Sequence, residues 1–110
     1  MHAIEEFSQK INGEQIQTFR RKVTEPGTLL EIEAGTNGFR GTPCREGGSR
    51  SYVRVIKKVG DMFLKPVSNE EGIVVGFECA TSGDAALGAV IEVLRFAGQV
   101  LEDQISETLV

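Results

Sequence analysis

The last part of the chain has the pattern of one long helix, and this helix constrains the fold more than any other feature. Its apolar residues recur at i, i+3, i+4 and i+7, the spacing of one helix face: Leu87, Val90, Ile91, Leu94, Ala97 and Leu101. Val93, Phe96 and Val100 widen this stripe beyond a simple amphipathic face. Ser82 or Asp84 can cap the start of the helix. A helix that is apolar on more than one side is either deeply buried or shared with another subunit.

The rest of the chain has the pattern of β-strands separated by turns. Three turn dipeptides punctuate it: Asn12-Gly13, Pro26-Gly27 and Gly60-Asp61. We expect a hairpin of strands 15–23 and 28–34 around the second of these turns. Three later runs also favour strands: RSYVRVIKKV, MFLKPV and IVVGFECA. Strand alternation places Leu30, Ile32 and Ala34 on one face of their strand and predicts that Val53 and Val55 point inward. It also places four residues on one face of the last strand, the face expected to be buried: Ile73, Val75, Phe77 and Cys79.

Ile4, Phe7 and Ile11 have helical spacing, which predicts a short helix at the N-terminus. The expected fold class is therefore α+β. An antiparallel sheet of about five strands carries a long C-terminal helix packed on it, together with the short N-terminal helix. With 110 residues, the chain fits a single domain over 1–110.

The composition excludes several classes of protein. No window approaches the ~20 apolar residues of a membrane span, and the N-terminus lacks the order of a signal peptide. Two cysteines without a CxxC motif do not form a disulfide framework. We therefore expect a cytoplasmic protein, of a bacterium or an infected host cell, that has no membrane partner.

The net charge of −4 is unevenly distributed along the chain. Residues 10–65 hold eleven Lys/Arg against six Asp/Glu, whereas residues 66–110 hold one against eight. This asymmetry favours a localised anion site over a surface that coats duplex DNA or RNA. The alternative is that both parts are ordinary solvated surfaces.

The segment GTNGFRGTPCREGGSR, residues 35–50, is the strongest candidate for such a site. Glycines allow backbone N–H groups to converge on an anion, arginines bind phosphate with two contacts, and aromatic rings stack on bases. The candidate ligand-binding residues are Thr36, Asn37, Gly38, Phe39, Arg40, Arg45, Gly48, Ser49, Arg50 and Tyr52. The segment matches neither a P-loop nor a dinucleotide fingerprint. The alternative is a plain turn region in which Phe39 fills the core and the arginines are solvated.

Little in the chain suggests catalysis, so we expect no enzyme activity, no metal and no cofactor. The single histidine, His2, lies at the terminus, and Cys44 has no histidine beside it in the sequence. Cys79 is expected to be a small buried hydrophobe. Glu31 and Glu33 are expected to serve solubility or to pair with Arg20 and Lys22 across the hairpin.

Three stretches resemble small phage and Firmicute proteins: LEIEAGTNGFRG, GGSRSYVRV and SGDAALGAVIEVLRFAGQVLEDQ. The pattern is similar to the first family of phage Thoeris anti-defence proteins, over roughly half of the chain, although the loop centre TPCRE is bulkier and more charged. The resemblance implies a non-enzymatic sponge that sequesters a cyclic nucleotide immune messenger, either a cyclic ADP-ribose isomer or a cyclic oligonucleotide. It also implies a homo-oligomer, here through the C-terminal helix. Two alternatives remain: an inhibitor that blocks a host protein through the exposed 35–50 loop, and an uncharacterised small hydrolase.

Overall fold

The structure, a computed structural model, describes residues 3–38 and 49–109 and has an α+β architecture. The described residues form six strands and one helix: β1 (Glu5–Ile11), β2 (Glu14–Glu25), β3 (Thr28–Thr36), β4 (Ser51–Val59), β5 (Met62–Ser68), β6 (Val74–Thr81) and α1 (Asp84–Leu109). Strands β1 to β4 form one antiparallel sheet in sequence order, and β5 and β6 form a separate two-stranded sheet. The predicted α+β class is therefore confirmed. The prediction of one sheet of about five strands is wrong, because six strands form two separate sheets.

The predicted N-terminal helix is wrong, because this segment is strand β1. Asn12 and Gly13 have φ angles of +48° and +83°, the left-handed values of a tight two-residue hairpin turn. The turn pairs β1 with β2 along its whole length, with Phe7 opposite Thr18. The turn and the pairing with β2 therefore outweigh the helical spacing of the apolar residues in this segment.

The predicted hairpin of the second and third strands is confirmed, with Phe19 opposite Ala34. Leu30, Ile32 and Ala34, predicted to share one strand face, are fully buried. They lie on the sheet face that packs against α1, mainly through β3 and less through β2. Val53 was predicted to point into the core, and this prediction is right about the sheet face but wrong about burial. Val53 lies on the same sheet face but is 54% exposed, because α1 leaves β4 largely uncovered.

The helix begins at Asp84, one of the two residues predicted to cap it, and it packs on the sheet with only part of the predicted apolar surface. Its buried residues are mostly small: Ala86, Ala89, Val93, Phe96 and Ala97. Leu87, Ile91 and Leu94 of the predicted stripe are 51%, 39% and 66% exposed. Alanines bring the helix backbone close to the sheet, and the larger side chains turn outward. Within the described residues, no helix is long and apolar enough to cross a bilayer.

The two-stranded sheet β5–β6, which we call the arm, projects from the rest of the fold. Met62 at its base joins the core, while the side chains beyond it are exposed. Consequently the prediction that Ile73, Val75, Phe77 and Cys79 form a buried face is wrong. Phe77 is 78% exposed, and Cys79 is an exposed free thiol.

Candidate functional site

The two ends of the glycine-rich segment are held together by hydrogen bonds. We call residues 36–38 and 49–51 the loop neck. The backbone N–H of Asn37 donates to the carbonyl oxygen of Arg50 over 3.1 Å. In return, the backbone N–H of Arg50 donates to the side-chain Oδ1 of Asn37 over 2.7 Å. The loop that starts after β3 and ends before β4 is thus closed at its base by reciprocal bonds.

The hydroxyl of Thr36 adds a second layer to the loop neck. Its Oγ1 donates to the carbonyl oxygen of Arg50 at 2.9 Å and accepts from the backbone N–H of Gly38 at 3.1 Å. Oγ1 also lies 3.0 Å from the hydroxyl of Ser51. Since the single Thr36 proton is used on the carbonyl, the Ser51 hydroxyl is the donor in that third bond. Thr36 is 6% exposed, so these bonds are largely shielded from water.

Gln104, near the end of α1, ties the loop neck to the helix. Its Oε1 accepts from the backbone N–H of Thr36 at 2.9 Å, and its Nε2 donates to the carbonyl oxygen of Gln17 at 3.0 Å. Gln104 is 7% exposed. One buried amide therefore satisfies a donor of β3 and an acceptor of β2 that would otherwise be unpaired, and it fixes the helix end against the neck.

The structure shows where the described members of the predicted site lie. Thr36 and Asn37, predicted to bond a ligand, use their side chains to build the neck, and Asn37 Nδ2 also donates to Glu14 Oε1 at 3.3 Å. Gly38 lies in the neck, with a φ of +80°. The predicted residues nearest the other end of the segment differ in burial: Ser49 is exposed, whereas Arg50 and Tyr52 are half-buried.

The remaining predicted contacts, Phe39, Arg40, Arg45 and Gly48, lie outside the described residues, as do His2 and Cys44. Among the residues that the structure describes, no three His, Cys, Asp or Glu side chains are grouped to hold a metal ion.

A buried ionic network lies on the sheet face opposite to α1, centred on Glu33. This carboxylate is 1% exposed. Oε1 accepts from Arg20 Nε at 3.1 Å and Nη2 at 2.8 Å. Oε2 accepts from the Thr18 hydroxyl at 2.6 Å and from Gln9 Nε2 at 2.8 Å. The network therefore joins β1, β2 and β3, and it confirms the expected pairing of Glu33 with Arg20.

The other face of Arg20 is also occupied. Its guanidinium carbon lies 3.8 Å from the ring centroid of Phe7, and its Nε lies 3.1 Å from Glu31 Oε1. Lys58 on β4 reaches the second oxygen of Glu31 at 3.7 Å. Glu31 therefore pairs with Arg20 and Lys58. Within the described residues, neither glutamate forms the expected ion pair with Lys22.

The pKa values show how this network is balanced. Burial alone would raise the pKa of Glu33, but hydrogen bonds from Thr18, Gln9 and Arg20, together with the Arg20 charge, outweigh burial and lower it. The hydrogen bond to Glu33 likewise raises the pKa of Arg20. Since a carboxylate offers about four acceptor positions, the four donors saturate Glu33. The network therefore holds the charges of Glu33 and Arg20 in place, and Glu33 has no free acceptor position for a further donor.

A groove of about 640 Å³ runs between α1 and β2. Its charged lining is mixed, with Arg21, Lys22 and Arg95 against Glu92 and Asp103. The Arg21 guanidinium also lies 5.9 Å from the ring centroid of Phe96, another lining residue. Because the cations are nearly balanced by the acids, the groove suits a strongly anionic ligand less well than the arginine-rich segment does.

Sequence reasoning missed Gln104 as a partner of the loop neck. Its signal was available in the helix pattern, because Gln104 lies seven residues after Ala97 and four after Val100, on the sheet-facing side. A polar residue at such a position needs a buried partner. That this partner is the backbone of Thr36 could be learned only from the fold.

No known protein family, curated protein or solved structure matches this chain. The resemblance to the Thoeris anti-defence family therefore stays a prediction.

Proposed function

We propose that this protein sequesters a cyclic nucleotide immune messenger without converting it, and so inhibits bacterial anti-phage defence. The messenger would be a cyclic ADP-ribose isomer or a cyclic oligonucleotide. The resemblance noted in the sequence suggested this class of ligand, and the loop neck is the observation that supports it best. The neck provides a fixed, hydrogen-bonded base for a segment that is rich in phosphate-binding residues.

The physical reason concerns the cost of binding. Ordering a loop around a ligand consumes part of the binding free energy, and a base that is already closed reduces that part. The bonds of Thr36, Asn37 and Gln104 close the base before any ligand arrives. Tight sequestration at a Kd of about 1 nM requires roughly −12 kcal/mol, so a low ordering cost favours this function.

In this proposal, Arg40, Arg45 and Arg50 bind phosphates, Phe39 or Tyr52 stacks on a base, and Ser49 bonds a polar group. Thr36 and Asn37 hold the neck. Arg50 contributes to the neck through its backbone N–H and carbonyl. Its side chain can therefore be changed while those backbone bonds remain.

A binding function without a reaction also agrees with the chemistry of the described residues. Among these residues, the pKa of Glu33 is lowered and the pKa of Arg20 is raised. Both shifts favour the charged forms, so neither group is tuned to exchange a proton near neutral pH.

The test is incubation with a panel of cyclic ADP-ribose isomers and cyclic oligonucleotides, removal of free compound, and heat denaturation of the protein. Intact compound that is released only after denaturation supports sequestration. A converted product would make the protein an enzyme. If no compound is depleted, the proposal fails, and the inhibitor of a host protein becomes the leading alternative.

Matched variants locate the site. Arg40→Ala and Arg45→Ala should weaken binding at least about tenfold each, since each removes a charge-assisted bond worth about 1.5–3 kcal/mol. Arg95→Ala makes the same charge change in the groove and should leave binding within about threefold. The reverse result, with loss only in Arg95→Ala, would move the site to the groove and refute the role of the loop.

A further inference from the structure

Strand β4 lies at one edge of the four-stranded sheet. Among the described residues, β3 is its only hydrogen-bonded neighbour. Strand β1 comes near β4, but no backbone hydrogen bond joins these two strands in the described part of the chain. One side of β4 is therefore open to a further strand. We call this side, over residues 51–57, the β4 edge.

The pairing of β4 with β3 shows which backbone groups point outward at the β4 edge. The N–H of Asn37 donates to the carbonyl oxygen of Arg50. In an antiparallel ladder, the residues that exchange such bonds alternate with residues that do not, so every second residue after Arg50 bonds β3. The residues between them direct their N–H and C=O groups away from β3: Val53, Val55 and Lys57. No described residue bonds these outward groups.

The β4 edge is strongly basic. Residues 50–60 hold four cations and no acid. Two of these cations, Arg54 and Lys58, lie on the sheet face of the glutamates, since Arg54 is opposite Glu33 and Lys58 reaches Glu31. The side chain of Lys58 is 47% exposed, and its contact with Glu31 is long, at 3.7 Å. Lys58 can therefore turn to another acid at little cost.

Arg54 lies directly opposite Glu33 but does not pair with it. Glu33 already accepts four hydrogen bonds, from Arg20, Thr18 and Gln9. Arg54 is exposed and forms no ion pair with any described residue. Its guanidinium therefore remains available to an anion from outside the chain.

The two faces of the β4 edge differ in chemistry. Side chains alternate along a strand, so Val53 and Val55 lie on the side of α1, whereas Arg54 lies on the other side. Val53 is exposed, since α1 leaves β4 largely uncovered. A strand that pairs with this edge meets cations on one face and aliphatic side chains on the other.

We infer that the β4 edge binds an extended acidic segment of a partner protein, which adds to the four-stranded sheet as a fifth strand. In this mode of recognition, backbone hydrogen bonds supply affinity and alternate side chains supply specificity. The segment that fits carries aspartate or glutamate at every second position, with aliphatic residues between them. This inference does not depend on the nucleotide ligand.

The charge of the β4 edge selects its occupant. Cations on an edge strand keep strands of like charge away, so the same edge of a second copy is a poor partner. A single-stranded nucleic acid brings negative charge, but it has neither the backbone spacing of a strand nor aliphatic side chains. An acidic strand satisfies the outward backbone groups, Arg54 and Val53 together.

The first test is isothermal titration calorimetry of the full chain with a synthetic peptide of the length of β4, in which glutamate and valine alternate. We expect binding that Arg54→Glu and Lys58→Glu each weaken at least about fivefold, because a reversed charge loses an attraction and adds a repulsion. Arg95→Glu makes the same charge change on the groove side of α1 and should leave binding within about twofold. Absence of binding at about 1 mM peptide, or an equal loss in Arg95→Glu, would overturn the inference.

Two further probes separate strand pairing from simple charge attraction. One is a peptide of the same composition with its glutamates and valines in separate blocks, and the other is single-stranded oligodeoxythymidine. Both keep the negative charge and lose the alternation, so each should bind at least about tenfold more weakly than the alternating peptide. Equal binding of either probe would show a general anion surface and contradict the inference.

Hydrogen exchange followed by NMR locates the contact residue by residue. The alternating peptide should slow exchange of the outward amides of Val53 and Val55 at least about tenfold. The amides of Tyr52 and Arg54, which bond β3, are protected already and should change less. Protection that appears in the groove or on β1, and not at Val53 and Val55, would refute strand addition at the β4 edge.

Discussion

Glu33→Gln is the sharpest test of the ionic network, because it removes the charge and preserves the shape. The amide oxygen can accept from Arg20, but its nitrogen then faces the Thr18 hydroxyl and Gln9, which must both reorient to accept. The buried carboxylate makes four bonds in the native chain, two of them to the guanidinium. The substitution therefore weakens every bond of the network.

The expected loss is about 2–3 kcal/mol of unfolding free energy, since bonds to charged groups contribute about 1.5–3 kcal/mol each and the reorientation recovers part of them. Glu31→Gln is a matched control on the same strand. Glu31 also contacts Arg20, but its side chain is 12% exposed and its bond to Lys58 is long, at 3.7 Å. The control should lose about 1 kcal/mol or less.

The measurement is urea denaturation at fixed protein concentration, repeated from pH 7 to pH 3. The native pKa of Glu33 lies below its ordinary value of 4.5. The network therefore contributes fully above that value, and its contribution falls as the pH drops below 4.5 toward the native pKa. The difference in unfolding free energy between the wild type and Glu33→Gln should be constant near neutral pH and should become smaller in acid. A loss below about 1 kcal/mol, a loss equal to that of Glu31→Gln, or a gap that widens in acid would refute this account.

Three further substitutions test the loop neck and its surroundings. Gly35→Ala places a methyl group against the carbonyl oxygen of Gln17, where the backbone must move, so it should cost about 3 kcal/mol in urea denaturation. Gln104→Leu leaves a buried donor at Thr36 without its partner. It should cost about 2–3 kcal/mol and speed hydrogen exchange of the Thr36 amide. Asn37→Ala removes the side-chain bond to the other end of the neck and should cost about 1 kcal/mol, with a loss of ligand affinity if the proposed function holds.

Local patterns predicted the central hairpin well, because turn chemistry and strand alternation coincide there. Pro26-Gly27 ends one strand, and the alternation around Ile32 separates the core face from the face of Glu31 and Glu33. The first strand failed for a physical reason. The spacing of Ile4, Phe7 and Ile11 is that of a helix, but Ile4 precedes β1, and the turn at Asn12-Gly13 with the pairing to β2 makes the segment a strand.

The packing side of the helix could not be read from hydrophobicity alone. The stripe with the largest side chains, centred on Ile91, was expected to be buried or shared with another subunit, whereas the sheet packs against the side that carries Ala89. The sheet already fills its surface with residues such as Ile32, and small helix residues fit against it. The prediction of a buried face on the arm failed because alternation alone does not show what packs on a strand. The residues around Phe77 alternate as in a covered strand, but nothing in the described residues packs on them.

The stability of α1 affects the loop neck, because this one helix carries both the outward leucines and the buried glutamine. Gln104 holds the loop neck from the sheet-facing side of α1, while Leu94 is exposed ten residues earlier on the outer flank. A helix end frays more easily than its middle, so the bonds of Gln104 depend on how firmly α1 is held. A helix that is held firmly keeps the neck closed. In the function that we propose, a closed neck lowers the cost of binding, so a change that loosens α1 would weaken binding as well as stability.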